Sequence, residues 1–285
     1  MKNPKTIKIF LVEGEPTGIR IAELSNWTGK GTVIPRNRLK NIKNRTDISQ
    51  PAVYFLFGES EETGEPIVYV GEAENLYNRL SNHDNKKDFW NTALAFTSKD
   101  QNLTKAHVKF LENYCIDLLK KVNRVKLDNS SDTSKPTLPE ADIAEMLEFG
   151  ENLQLLTSAL GYQIFKDISA KQIDDKNIYF CKKKGIEAKG TLLDEGFVIY
   201  KGSQAITKEA NSAGKWLHEL RERLLTSDVL RKENEFSYIF TKDYIFGSPS
   251  TAGAVVLGCR VNGWIHWKNN KGQPLDKERD LSKEN

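Results

Sequence analysis

The tightest constraint in this chain is a change of hydrophobic period. "AVYFLFG" (52–58) and "IVYVG" (67–71) have the length and composition of strands, and after Gly71 the spacing turns helical, with Leu76, Tyr77 and Leu80 on one side. The loop between the two runs, "ESEETGEP", is longer than a tight hairpin turn but compatible with antiparallel pairing. "WNTALAFTS" (90–98) supplies a third strand. A long helix follows from Thr104 to Val122, its apolar positions Val108, Leu111, Cys115, Leu118, Leu119 and Val122 recurring at three- and four-residue steps, with Thr104 as N-cap. Strands and helices in this succession call for a sheet with helices packed on it, an α+β fold.

Around this segment (50–130) the chain divides further. Residues 1–49 form a β-rich N-terminal segment in which "IKIFLV" and "IRIAEL" alternate with the turns "EGEPTG" and "NWTGKG". "DNSSDTSKPTLPEAD" (128–142) reads as linker, and Pro139 and Gly161 bracket a second long helix, so 131–165 is expected to be linker and connecting helix. From 166 to 275 strand-like runs such as "IYFCK" and "GFVIYKGSQAI" mix with an amphipathic helix at Lys215–Leu225 and a short one in "SPSTAGAVVLG", a second α+β domain. Residues 276–285 form a charged tail.

Composition limits the function classes. A chain of 285 residues has room for two cores, and 38% hydrophobic with 28% charged residues is the balance of a soluble globular protein. No apolar run reaches bilayer length, so no membrane association is expected, and "MKNPKTIKIFLVEGEP" reads as a strand rather than a signal peptide. Cys115, Cys181 and Cys259 form no C-x-x-C pair, which argues against a zinc site or disulfide framework and fits a reducing cytoplasm. A net charge of +3 permits nucleic-acid binding without arguing for it. Binding would need a local groove, for which Arg36, Arg38, Lys40 and Lys43 of the basic stretch "IPRNRLKNIKNR" are candidates. Trp264 and Trp267 in "GWIHWK" alternate as strand residues do, a pattern more typical of core and rim than of base stacking.

The residues of "YVGEAENLYNRLSNH" (69–83) each have a plain structural explanation: tyrosines as cross-strand partners, Arg79 as a solvated charge, His83 near a helix C-terminus. Their arrangement suggests more. Strand alternation sets Tyr54 against the face of Val53 and Phe55. Arg79 and His83 stand four apart on one helical face, and Glu112 flanks the apolar stripe of the long helix, placed to look into the same cleft. Gly71 would let backbone approach a ligand without a Cβ in the way.

On these residues the segment 50–130 resembles the GIY-YIG nuclease family. "AVY" (52–54) stands for the first signature, with Ala52 and Val53 replacing glycine and isoleucine, and "YVG" (69–71) for the second. Arg79 and His83 match the family's helix pattern, and Glu112 in "VKFLENYCIDLL" its metal-binding glutamate. Asn129 in "KLDNSS" matches its asparagine, with Asn123 as competitor. Residues 185–275 also resemble a domain of unknown function often appended to such nucleases, with "FVIYKGSQA", "FGSPSTAGAVVLG" and "NGWIHWK" as landmarks.

The first resemblance implies a small three-stranded antiparallel sheet flanked by helices and a metal-dependent endonuclease that hydrolyses duplex or branched DNA. Glu112 would hold one Mg²⁺ or Mn²⁺, which keeps most of its shell as water and phosphate oxygens. Arg79 would bind the non-bridging oxygens. Tyr54 would act as general base, its phenol pKa lowered by Arg79 and the metal, with Tyr69 positioning the water and His83 taking or relaying the proton. Gly71, Asn129, Arg36 and Arg38 would contact substrate. The alternative is a nucleic-acid-binding protein that keeps the nuclease fold without turnover. DNA specificity and oligomeric state are open at this level.

Overall fold

In the computed structural model the described residues are 4–61, 64–129, 136–166, 178–183, 185–210 and 213–277, apart from the side chain of Asp47. The chain divides into two compact units, Met1–Lys166 and Asp167–Asn285. Residues 130–135 of the expected linker and 278–285 of the expected tail lie outside the described residues.

The first unit runs β1 (Ile7–Leu11), β2 (Arg20–Leu24), β3 (Gly29–Pro35), a 3₁₀ segment (Arg36–Ile42), a 3₁₀ turn (Thr46–Ile48), β4 (Ala52–Glu59), β5 (Pro66–Ala73), α1 (Leu76–Asp84), β6 (Trp90–Ser98), α2 (Lys105–Val122), β7 (Lys126–Leu127) and α3 (Glu140–Ala159). Its strands form one seven-stranded sheet in the order β1-β2-β3-β6-β4-β5-β7. Every neighbouring pair is antiparallel except β5 with β7. The class is α+β, as expected, but the sheet is larger than three strands. The N-terminal strands are not a segment apart, because β3 pairs with β6 along its length, from Gly29↔Ser98 to Pro35↔Thr92.

Alternation along the central strands sends side chains to two cores. Val53, Phe55, Val68, Val70, Leu94 and Phe96 pack against α2 and α3. Tyr54, Leu56, Ala93 and Ala95 pack with Leu76 and Leu80 of α1 and with Leu39 and Ile42 of the 3₁₀ segment. The α2 helix starts where Thr104 and His107 exchange a capping box, and it stops at Asn123, a left-handed C-cap with φ 50°. Asn123 thereby has a local backbone role, which weakens its claim as a site residue. The α3 helix, expected to be a connector, is a core element of this unit: Met146, Phe149, Leu153 and Leu156 are buried in the α2 face of the sheet.

The second unit contains β8 (Tyr179–Lys183), β9 (Ile186–Leu193), β10 (Gly196–Ile199), β11 (Gln204–Ile206), α4 (Lys215–Thr226), β12 (Leu230–Lys232), β13 (Ser237–Phe240), β14 (Tyr244–Phe246), α5 (Pro249–Leu257) and α6 (Gly263–His266). A four-stranded sheet, β14-β10-β9-β8, and a three-stranded one, β11-β13-β12, enclose a core with α4 and α5 that includes Phe197, Leu217, Val255 and Trp267. "GWIHWK" is a helical turn rather than a strand, and Trp267, fully buried, donates its indole N–H to the Pro249 carbonyl at 3.0 Å. The tryptophan pair therefore belongs to the core and its margin. Among the described residues no helix is long and apolar enough to cross a membrane.

If α3 is a core element, Leu153→Ala, at a fully buried position, lowers unfolding stability by about 2–5 kcal/mol. Chemical denaturation of the intact chain measures this, and a loss within error would return α3 to the status of a connector.

Candidate active site

The β4–β5 register assembles the first part of the site. Tyr54 lies opposite Gly71 and Leu56 opposite Tyr69, so Tyr54 and Tyr69 are diagonal neighbours on one face, with ring centroids 6.1 Å apart. Gly71 makes this possible. A Cβ there would sit 2.4 Å from the Tyr54 hydroxyl oxygen and 2.9 Å from the Tyr69 ring. The glycine thus makes room for the two phenols rather than for a ligand, and β5 continues beyond it to Ala73. Asn75 then caps α1, its side chain accepting the Asn78 N–H.

From α1, Arg79 and His83 reach the same hydroxyl. Arg79 Nε donates to Tyr54 Oη at 3.1 Å, and its Nη2 lies 3.5 Å from Tyr69 Oη, while His83 Nε2 is 2.7 Å from Tyr54 Oη. A guanidinium only donates, so Tyr54 keeps its own proton to give, and His83 Nε2 is placed to accept it. Burial, then the Arg79 and Lys87 charges, depress the His83 pKa to about 4, so the imidazole is a neutral acceptor at physiological pH. Tyr54 itself departs from expectation. It is fully buried, and that burial, reinforced by Tyr69, pushes its phenol well above the ordinary value although Arg79 pulls the other way. The phenol is held protonated here and is not a ready phenolate.

Glu112 arrives from the other side of the sheet. It lies on α2, which covers the Val68/Val70 face, whereas the tyrosines, Arg79 and His83 occupy the opposite face. The carboxylate meets the sheet at the margin of β5, where it accepts the Glu72 backbone N–H. Burial first, then the neighbouring Glu72 carboxylate, raise its pKa to about 7, with Arg79 and Lys109 opposing. Arg79 is therefore the charge that acts on both the phenols and the acid.

The same margin explains Asn129, which was expected to touch substrate. Its Nδ2 donates to the Val70 carbonyl at 2.7 Å and its Oδ1 accepts the Val70 N–H at 3.0 Å, so the amide mimics one residue of an added strand. Arg36 and Arg38 are also committed elsewhere. Arg36 bonds the Asp84 carboxylate at 2.7 Å and the backbone carbonyls of Asp84, Asp88 and Trp90, tying the 3₁₀ segment to the end of α1 and the start of β6. Arg38 pairs with Glu13 and Glu15 at 3.8 and 3.4 Å. Both guanidiniums are thus engaged by groups from distant segments.

Lys87 and Glu72 join the site without having been singled out. Lys87 Nζ lies 4.6 Å from the Tyr69 ring centroid and is ion-paired with Asp128. Its signal was present in the spacing 79, 83, 87, which continues one helical face, and the Lys87 N–H still bonds the His83 carbonyl at 2.9 Å. Glu72 was legible only as the residue after "YVG".

For a divalent cation the available donors are oxygens, the Glu112 and Glu72 carboxylates. Among the described residues no group of three or more His, Cys, Asp or Glu side chains is gathered to hold a metal. That donor set fits a hard ion that draws most of its ligands from water and phosphate. It does not fit a fully protein-ligated ion such as structural zinc.

Residues 179–279, within the second unit, match the family model of a domain of unknown function (DUF4357). Neither a curated protein nor a solved structure matches the chain.

The raised Glu112 pKa has a consequence for stability. The folded protein holds this proton up to about pH 7, whereas an ordinary carboxyl releases it near 4.5. The group's contribution is thus complete below pH 4.5 and lost as pH rises through 7. With metal chelated, Glu112→Gln gains stability relative to the parent between pH 4.5 and 7, and the difference is constant above that. His83 is common to both proteins and cancels. Denaturation curves across this range that run parallel would mean a solvated carboxylate.

Proposed function

We propose that the first unit is a divalent-metal-dependent endonuclease that hydrolyses DNA phosphodiester bonds. What supports this most is one arrangement: an exposed guanidinium, Arg79, hydrogen-bonded to a buried phenol whose own proton faces a neutral histidine. A buried phenol needs hydrogen-bond partners, but an exposed cation on one side and a neutral base on the other is more than that need requires. A water attacking phosphorus has need of each.

The residues divide the work as follows. Arg79 meets the phosphate and donates to its non-bridging oxygens, bonds that strengthen as charge develops on them. Leaving Tyr54 for the phosphate uncovers the phenol oxygen. That oxygen takes a proton from the attacking water while its own proton passes to His83 Nε2, so one O–H bond breaks at water and another at Tyr54. The phosphate's negative charge offsets the Arg79 charge that, second to burial, depresses the His83 pKa. Tyr69, less buried than Tyr54, orients the water. Glu112, with Glu72 beside it, would hold Mg²⁺ or Mn²⁺. When bound, that ion supplies Lewis-acid polarisation of the phosphate and stabilises the departing 3′ oxygen.

Two observations favour a second reading, a DNA-binding protein without turnover. The Tyr54 hydroxyl is sealed from solvent and Glu112 already caps a backbone N–H.

Purified protein incubated with supercoiled plasmid and branched DNA separates the two. In Mg²⁺ the parent nicks or cuts, EDTA abolishes cleavage, and Glu112→Ala and Arg79→Ala each lower the rate by at least about 100-fold, or about 2.7 kcal/mol. Circular dichroism shows whether each variant is folded. Cleavage that survives EDTA or Glu112→Ala ends the metal mechanism, and binding without any cleavage by the parent selects the second reading.

A further inference from the structure

Past the end of α1 the chain keeps its helical phase for one more step. The Lys87 N–H donates to the His83 carbonyl at 2.9 Å, so Arg79, His83 and Lys87 follow one another at four-residue intervals along one face. Eight helical residues separate Arg79 from Lys87 by about 12 Å along the axis, yet both cations turn to one ring. Arg79 Nη2 lies 3.5 Å from Tyr69 Oη, and Lys87 Nζ lies 4.6 Å from the centre of the same ring. We infer that Lys87 is a second phosphate-binding residue of this site, and that it exchanges Asp128 for a phosphate of the strand Arg79 holds. The inference rests on the nuclease reading for its choice of DNA as ligand.

Three observations carry it. First, the cations gather where water reaches them. Arg79 is exposed and bonds the hydroxyls of Tyr54 and Tyr69, while Lys87 and its partner Asp128 are both partly exposed. Like charges turned to one phenol repel each other, and a strand with a charge at every nucleotide relieves that repulsion. An ion pair open to water is also weak, so a phosphate can compete for the lysine.

Second, the pair is asymmetric. Asp128 is fixed through its backbone: its N–H bonds the Val68 carbonyl at 2.8 Å, and the next residue, Asn129, clamps both groups of Val70. Lys87 lies beyond the last residue of α1 on a flexible four-carbon stem. The lysine is therefore the member that leaves.

Third, its leaving acts on the base. The His83 ring centre is 4.9 Å from that of Tyr69. The groups that face His83 are Tyr54 from β4, Tyr69 from β5, Arg79, Lys86 and Lys87 from α1 and its extension, and Asp128 after β7. The three cations oppose a proton on His83, and Asp128 favours one. Moving Lys87 onto a phosphate screens one of those cations and leaves the Asp128 charge uncovered. Arrival of the strand thereby readies His83 for the Tyr54 proton.

The test is binding of a fluorescent DNA duplex, in EDTA so that no turnover is needed, followed by anisotropy. Lys87→Met weakens binding at least about fivefold and lowers the slope of log affinity against log salt by about one. Asp128→Asn, which frees Lys87, tightens binding at least about threefold, and this gain disappears in the Lys87→Met background. Lys86→Met, an equal change of charge at the exposed neighbouring residue, leaves the gain in place. At about pH 5.5 the ring nitrogen resonances of His83 report a neutral imidazole in the free protein and partial protonation in the complex. Asp128→Asn reduces that protonation. An equal gain from Asp128→Asn with and without Lys87 shows long-range repulsion alone and overturns the exchange. So does parental affinity in Lys87→Met, a His83 that DNA leaves neutral, or a parent that binds no DNA. Plasmid nicking is scored separately: coupling without nicking sinks the nuclease reading alone, and nicking without coupling sinks the exchange alone.

Discussion

Everything on the α1 side of the first unit hangs on the oxygen of Tyr54. It is reached by Arg79 from α1 and by His83 one turn later, and it sits over Gly71 in the neighbouring strand. A hydroxyl fully buried among apolar side chains is tolerable only when its hydrogen bonds are complete, and both partners come from α1, held over the strand pair that places the phenol. The β4–β5 register, the phase of α1 and the glycine at 71 are then one requirement expressed three times. Shifting the register by one residue would send Tyr54 to the α2 face and leave Arg79 and His83 without their partner.

The arrangement also fixes electrostatic roles. Arg79 is the cation that acts directly on the phenol, and its influence extends to Glu112 at the margin of β5. His83 is kept neutral by burial and by three nearby cations, Arg79, Lys87 and Lys86, while Glu112 is kept partly protonated by burial and by Glu72. An anion bound at Arg79 would move the first toward accepting a proton, and a cation bound between the two acids would move the second toward releasing one. The site is thus poised on both sides for ligands of opposite sign.

Much of the fold could be read from local pattern. The strand at Trp90–Ser98 and the helix Lys105–Val122 with its Thr104 cap were legible because periodicity and capping are short-range signals. The pairing of β3 with β6 was not, since no residue near Gly29 records that its partner lies at Ser98. The site divides the same way. The four-residue spacing of Arg79 and His83 announced a shared face, and the structure brings both to Tyr54. Side-chain partners from distant segments were invisible: nothing in "PRNRLK" tells that Arg36 is held by Asp84, or Arg38 by Glu13 and Glu15. Burial was invisible too, and it reverses the expected shift of the Tyr54 phenol. Invisible likewise was the structural duty of Asn129, whose amide pairs with both backbone groups of Val70.

That duty, shared with Glu112, closes one margin of the sheet. Along β5 the Val68 carbonyl is taken by the Asp128 N–H, both Val70 groups by Asn129 and the Glu72 N–H by Glu112. The opposite margin, β1, ends the sheet with Ile9 and Phe10 half or more exposed. Templated growth, the hazard of any bare strand, accordingly has a place to start at β1, and Lys8, solvent-facing between two isoleucines, is the gatekeeper charge that opposes it.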